Sequence, residues 1–299
     1  MRVLLAHDGS GHAAQAANLV RDIRWPPESV LRVVSVIEPT MVAMPMGGGG
    51  GAGYSPQMEG ELSAYYNEAL AEAVRHLDAP DRTVDGAVLP GRPATVISDE
   101  ARTFGADVIV VGSRGHGAIA SLVLGSVSAE VVDHAPCPVL VARRASLSRV
   151  VFATDGSPSA AAAEARLSQW PIFEGLPIHV VSVADVPHPM RSGIAPTMLA
   201  AVAKADAQDL EAAREEHRRL AEECVGRLRE AGCDAEAEVR IGDAPAEIIA
   251  AVDAHGADLV VLGSRGRTGL ARLLLGSVAR NVVHGSGASV LVVRDPGQS

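Results

Sequence analysis

The chain has 299 residues, 26 Lys+Arg against 36 Asp+Glu for a formal net charge of −10, and 47% hydrophobic residues with only 3% aromatics. That length predicts two domains, each able to bury a core, and excludes disorder as the general state. The acidic balance argues against a broad nucleic-acid or anionic-membrane surface, which needs a basic field, but leaves a small anionic ligand open.

Strands and helices alternate from the first residues. Val3–Ala6 predicts a short strand, followed by Asp8-Gly9-Ser10 and an Ala-rich helix to Ile23. Val30–Val36 predicts a second strand, Glu59–Leu77 a helix, Thr83–Leu89 a weaker strand, and Pro93–Gly105 another helix. Val108–Val111, a short helix over Gly125–Asp133 and the strand Val139–Ala142 close the first half. In the second half Val150–Ala153, Ile178–Val183, Ala235–Arg240, Leu259–Leu262 and Val290–Val293 read as strands, with a long helix over Thr197–Ala231. On that helix Leu210, His217, Leu220, Cys224 and Leu228 form one stripe, and Glu215/Arg219 and Glu223/Arg227 stand at i,i+4 on a solvated face.

The halves are copies. Arg2–Ser10 returns as Arg149–Ser157 with six of nine positions identical, and Gly105–Arg143 returns as Gly256–Arg294 with 20 of 39 identical. Two tandem domains, 1–147 and 148–299, follow, and a join as short as Ala145–Ser148 predicts that they lie against each other. Continuous Val/Ile/Leu runs without polar alternation are strands covered on both faces. The expected class is therefore α/β: two Rossmann-like three-layer α/β/α domains, each with a five-stranded parallel sheet. Two segments break the regularity, Met44–Gly53 and Asp185–Pro196. Both follow the second strand at the carboxyl edge of the sheet, and the first has no means of packing. Each is either a variable loop or a lid over a site.

The opening MRVLLAHDGS is too short in apolar residues for a secretory leader, and no run approaches the roughly 18 residues of a membrane span. Cys137, Cys224 and Cys233 form no CxxC pair. A cytoplasmic protein with inert thiols is the expectation.

The chemistry-bearing motif is Gly112-Ser113-Arg114-Gly115, nine residues, then Gly125-Ser126, directly after a strand. It recurs as Gly263-Ser264-Arg265-Gly266, nine residues, then Gly276-Ser277. Glycine permits positive φ and close backbone approach, so successive N–H groups can converge on phosphate oxygens. Gly125-Ser126 and Gly276-Ser277 open helices, whose free N–H groups and dipole favour an anion. Arg114 and Arg265 either neutralise phosphate or point to water. Asp8 and Asp155, each followed by Gly9 or Gly156 and a Ser, have two readings: a helix N-cap, or a carboxylate accepting hydrogen bonds from a ribose or adenine. The two roles are compatible.

This pattern, G-x-x-G, nine residues, G-S, behind a first-strand Asp and ahead of a V-L-V strand, resembles the universal stress protein family in its tandem form, over nearly the whole chain. The resemblance implies ATP, with Mg²⁺ as an optional companion, as the ligand of both halves. It places Asp8 and Asp155 at the base or ribose, Val36 and Val183 against adenine, the motif glycines and serines at the phosphates, and Val127 and Val278 beside the ribose–phosphate. It also implies pairing of the last strands about a two-fold, within one chain or across a homodimer, and nucleotide-dependent contacts with regulatory protein partners.

Other chemistries lack their residues. No GxxxxGK[ST] and no GxGxxG opens a helix. His7 and His12 lack a third ligand nearby, so no metal is expected. His116 occupies the first loop, but Arg267 stands in its place in the second. Ser126 and Ser277 have no adjacent base. Three functional classes remain: an ATP-binding stress protein with at most slow hydrolysis, a protein-interaction module whose glycines only shape turns, and a nucleotide-hydrolysing enzyme.

Overall fold

The computed structural model describes residues 1–38, 42–44, 51–53, 56–115, 124–184, 196–266 and 275–294. The chain divides into two compact units, Met1–Ser146 and Leu147–Ser299.

Unit 1 runs β1 (Arg2–Ala6), α1 (Gly11–Asp22), β2 (Ser29–Ile37), β3 (Val42–Met44), β4 (Gly51–Gly53), α2 (Pro56–Leu77), β5 (Arg82–Pro90), α3 (Pro93–Phe104), β6 (Val108–Gly112), α4 (Ser126–His134) and β7 (Val139–Ala142). Its main sheet has the order β7-β6-β1-β2-β5 with every pair parallel. Unit 2 runs β8 (Val150–Ala153), α5 (Pro158–Gln169), a 3₁₀ turn at Pro171–Phe173, β9 (Ile178–Ala184), α6 (Pro196–Glu230), β10 (Ala235–Ile241), α7 (Ala244–His255), β11 (Leu259–Gly263), α8 (Ser277–Gly285) and β12 (Ser289–Val293). Its order, β10-β9-β8-β11-β12, is also parallel throughout. The five-stranded parallel sheet expected in each domain is present in both units. Counted within each unit the order is 3-2-1-4-5, so the chain reverses direction across the sheet between its first and fourth strands. Ligands of open α/β sheets bind at the carboxyl side of that reversal.

In unit 1, α1 and α2 pack on one face and α3 and α4 on the other; α5 with α6 and α7 with α8 repeat this in unit 2. The central strands explain the apolar runs. Val3, Leu4 and Leu5 of β1, Val108 to Val110 of β6, and Val150 to Phe152 of β8 are all fully buried. Each large side chain so covered contributes about 1.5–3 kcal/mol relative to exposure. Alanines Ala13, Ala16 and Ala17 on α1 and Ala160 and Ala163 on α5 are the buried contact residues, which lets these helices approach the sheet closely.

Helix ends carry local signals. The Ser10 hydroxyl accepts from Ala13 N–H at 3.2 Å and the Ser157 hydroxyl from Ala160 N–H at 3.2 Å, capping α1 and α5. α3 and α7 stop at Gly105 and Gly256, whose φ of 65° and 59° are left-handed and suit glycine. The Met44–Gly53 run does find a partner at its ends: β3 and β4 pair antiparallel, Met44 opposite Gly51 and Val42 opposite Gly53. Backbone pairing needs no side chain, which is why a glycine run can make it. Residues 45–50 and the corresponding Asp185–Ile194 and Ala195 lie outside the described residues.

The ion pairs foreseen along the long helix are replaced by others. Glu215 pairs with Arg218, Arg219 approaches Glu223 at 3.9 Å, and Arg227 turns to Glu164 of α5 at 2.6 Å. Arg227 leaves its helix partner because a bidentate carboxylate lies within reach on the neighbouring helix.

Candidate functional site

At the reversal point of unit 2 the carboxyl ends of β8, β9 and β11 and the amino ends of α7 and α8 enclose a cavity of about 300 Å³. Asp155, Val183, Gly263, Arg265, Gly266, Gly276, Ser277 and Val278 line it, so eight residues singled out in the sequence meet in one space. Ala153, Thr154, Val181, Leu262, Ala244 and Ile248 complete a largely apolar wall. Gly156 and Ser264 stand next to the lining residues without belonging to it. The equivalent positions of unit 1 have the same backbone setting: Asp8 and Gly9 follow β1, Val36 lies near the end of β2, and Gly112 to Gly115 leave β6. Gly125 caps α4, which begins at Ser126-Val127. Val127 is 37% exposed.

Each acidic residue is held by its own turn. Asp8 Oδ1 accepts from Ser10 N–H at 3.0 Å, and Asp155 Oδ1 accepts from Ser157 N–H at 3.0 Å. The aspartates are therefore not the helix caps; the serines are. A side chain two residues before the cap closes an Asx turn, which turns Oδ2 toward the glycine loop instead of along the helix. A Cβ placed on Gly266 would meet Asp155 Oδ2 at 2.8 Å, and one on Gly115 would collide with Asp8 Oδ2.

The motif glycines answer to crowding, not to backbone conformation. None of Gly112, Gly115, Gly125, Gly263, Gly266 and Gly276 is among the residues with positive φ, which corrects the conformational part of the sequence argument. A Cβ on Gly112 would stand 2.8 Å from the His12 backbone, and one on Gly263 2.6 and 2.7 Å from the backbone of Ser159 and Ala160. A Cβ added to Gly125 or Gly276 would stand 3.2 or 3.3 Å from the Cα atom of Arg114 or Arg265. The loop closes on itself, because Gly125 N–H donates to Ser113 O at 2.9 Å and Gly276 N–H to Ser264 O at 2.8 Å. Positive φ occurs instead at Gly9 (82°) and Gly156 (75°), in the turn after the aspartate, where an L side chain would be strained.

Several residues were missed in the sequence. Ser35 and Ser182, lone hydroxyls inside apolar strands, donate to the carbonyls of His7 at 2.6 Å and Thr154 at 2.9 Å, one residue before each aspartate. Their recurrence at one position of both copies was the available signal. His217, read as part of an apolar stripe, is 2.8 Å from Ser182 Oγ and so joins a hydrogen-bond chain from α6 to the site. Tyr65 donates to Gly9 O at 3.4 Å, and burial followed by the Asp8 charge pushes the neighbouring Tyr66 phenol up. His7 is buried and its Nδ1 accepts from Gly9 N–H at 3.3 Å, a structural use of that ring. No group of three metal-ligating side chains occurs among the described residues. His116 and Arg267 lie outside them.

The model of the universal stress protein family matches residues 1–143 and again 147–294. The chain belongs to that family. A universal stress protein of Thermus aquaticus is 38% identical over 152 residues, 47% of this chain and 97% of that protein. A universal stress protein of Mycolicibacterium smegmatis is 31% identical over 199 residues, 63% of this chain and 62% of that one. Among solved structures, a universal stress protein from Archaeoglobus fulgidus covers 98% of both chains with a TM-score of 0.67 at 19% identity, a likeness of fold. In this universal stress protein the family match covers both units, and so does the glycine motif. No helix among the described residues is long and apolar enough to cross a membrane.

Proposed function

We propose that each unit binds an adenine nucleotide, ATP in the first instance, and that the nucleotide acts as a conformational ligand for partner proteins. The observation that carries this is the unit 2 cavity, which joins an apolar wall at Val181 and Val183 to the amino end of α8 at Gly276-Ser277. A base suits the first and phosphates the second, with Asp155 between them as an acceptor for sugar or base N–H and O–H groups. A volume of about 300 Å³ is at the small end of ordinary ligand pockets. Unpaired N–H groups at the start of a helix attract anions whatever the net charge of the chain.

The site fits phosphates by its chemistry: Gly266 is a glycine where a Cβ would fill the space before Asp155. Mg²⁺ would travel with the phosphates, and among the described residues Asp155 is the carboxylate that lines the cavity. The sequence offers no recognisable general base for water in either half, so any hydrolysis should be slow. Mass spectrometry of ligand released from denatured native protein, with calorimetry against ATP, tests the reading; no binding of ATP or AMP at millimolar concentration defeats it.

A second reading has its own support. Every motif glycine has a neighbour within the protein that accounts for it. A module for protein contact, with no nucleotide, would need the same glycines. It differs in predicting thermal stability indifferent to millimolar ATP, whereas a bound ligand raises it by mass action.

A further inference from the structure

The two copies hold the same loop differently. In unit 2 the first turn of α5 grips the main chain of Arg265. Ser157 Oγ donates to Arg265 O at 3.1 Å, Ser159 Oγ also donates to Arg265 O, and Arg265 N–H donates back to Ser159 Oγ at 3.2 Å. Ser157 and Ser159 are themselves 3.3 Å apart through their hydroxyls, and both are buried. Position 159 of unit 2 corresponds to position 12 of unit 1, where the residue is His12. Among the described residues, no hydroxyl at the start of α1 bonds the Arg114 main chain: Ser10 Oγ accepts from Ala13 N–H, as Ser157 Oγ does from Ala160 N–H, but makes no bond to Arg114.

We propose that Ser159 is a positioning residue that preorganises the unit 2 loop, so that the unit 2 site fills before the unit 1 site. Arg265 sits between Gly263 and Gly266, and all three line the cavity. A loop already fixed in its binding shape loses less freedom when the ligand arrives, and that saving appears as affinity. An ordering cost lower by about 1.4 kcal/mol corresponds to a tenfold gain in affinity. Unit 1 has the same motif without the clamp and must order its loop on binding. The inference rests on the nucleotide reading for its ligand, but the clamp is measurable without one.

The test uses the full chain and amide hydrogen exchange read separately at Arg114 and Arg265. In ligand-free protein Arg265 should exchange about tenfold more slowly than Arg114. On titration with ATP, protection of Gly263–Gly266 should reach half-saturation at about one tenth of the concentration needed for Gly112–Gly115. Ser159→Ala should erase both differences while circular dichroism and the melting temperature confirm folding. His12→Ser, which supplies the missing hydroxyl to unit 1, should narrow them from the other side. Equal ligand-free exchange at Arg114 and Arg265, or simultaneous filling of both loops in the wild type, overturns the inference and leaves nucleotide binding standing. Protection of neither loop by millimolar ATP removes the nucleotide reading, and the order of filling with it.

Discussion

Asp155 and Gly266 face each other in the lining of the unit 2 cavity, close enough that a Cβ on the glycine would stand 2.8 Å from the carboxylate Oδ2. Oδ1 is meanwhile fixed by Ser157 N–H at 3.0 Å. The carboxylate thus cannot retreat by simple rotation without giving up its turn, and the space before it is kept by the missing side chain. Asp8 and Gly115 repeat the arrangement in unit 1.

Gly266→Ala should therefore weaken nucleotide binding at unit 2 with little cost in folding. The added methyl displaces a side-chain carboxylate rather than backbone, so a loss of at most about 1 kcal/mol in stability is expected. ATP affinity at that site should fall about tenfold. Calorimetry and thermal denaturation on one preparation separate the two effects, and an unchanged isotherm for Gly115→Ala combined with Gly266→Ala refutes the loop assignment.

Gly263→Ala should behave in the opposite way. Its Cβ would sit 2.6–2.7 Å from the backbone of Ser159 and Ala160, which belongs to the first turn of α5. Backbone in a packed helix cannot yield locally, and overpacking of this kind costs roughly 1–3 kcal/mol. Urea denaturation should show that loss in the absence of any ligand. A variant as stable as the wild type would mean that α5 can slide on β11.

The contrast between these glycines shows what sequence could and could not reveal. Strand runs such as Val108–Val111 and the three-layer α/β class they support were readable because burial on both faces leaves an unbroken apolar pattern; the strand order 3-2-1-4-5 was not. The cluster of Asp155, Gly263, Gly266 and Gly276 was readable because fold topology brings first-strand and fourth-strand ends together. The reason for each glycine was not, since a backbone approaching from α5 leaves no mark in the loop's own residues. Likewise His217 sits at the spacing of an apolar stripe, and only the position of Ser182 on β9 reveals its polar use. Ser159 and His12 occupy one aligned position without resembling each other, so the difference acquires meaning only from the Arg265 backbone beside it.

Stability should fall on mild acidification through His179. Its ring stacks on His255 at 3.8 Å between centroids. Burial and then the His255 charge hold its pKa below the ordinary 6.5. Above that value the ring is neutral in both folded and unfolded chains, and the native state has its full stability. As pH drops below 6.5 the unfolded chain takes up a proton that the folded state resists, and stability declines until the folded value is passed. Glu238 acts at lower pH: burial pushes it up, but hydrogen bonds from His255 and Arg240 outweigh this and hold it below 4.5. Urea midpoints between pH 7.5 and 5 should decrease, and His179→Leu should flatten that slope. An undiminished slope in the variant assigns the effect elsewhere.

Tyr66 reports the charge of Asp8. Its phenol lies above the ordinary 10.0 because burial disfavours the phenolate, with the Asp8 carboxylate adding repulsion and Tyr65 a smaller part. Asp8→Asn keeps an oxygen for the turn at Ser10 N–H but removes the charge. Tyr66 should then ionise at lower pH than in the wild type, still above 10.0 because the burial remains. Ultraviolet titration in a Tyr54→Phe, Tyr65→Phe background isolates the signal. A phenol insensitive to Asp8→Asn would place the carboxylate farther from α2 than the structure has it.

Cys224 should be chemically silent in the native protein. Its side chain is 1% exposed on α6. Burial pushes its thiol far up, and the Glu164 carboxylate adds to this by both charge and hydrogen bond, opposed only by Arg227. The nucleophile in alkylation is the thiolate, so both access and ionisation oppose reaction. With iodoacetamide at pH 8, peptide mapping should find Cys224 unmodified long after Cys137, whose side chain is only partly covered. Adding urea past the unfolding midpoint should bring Cys224 to the reactivity of an ordinary thiol. Cys233 should also react faster than Cys224, because burial alone raises it and its residue is less covered. Rapid modification of Cys224 in folded protein would mean that α6 opens from α5 on the time scale of the reagent, and the packing at Glu164 and Arg227 would have to be looser than their 2.6 Å ion pair indicates.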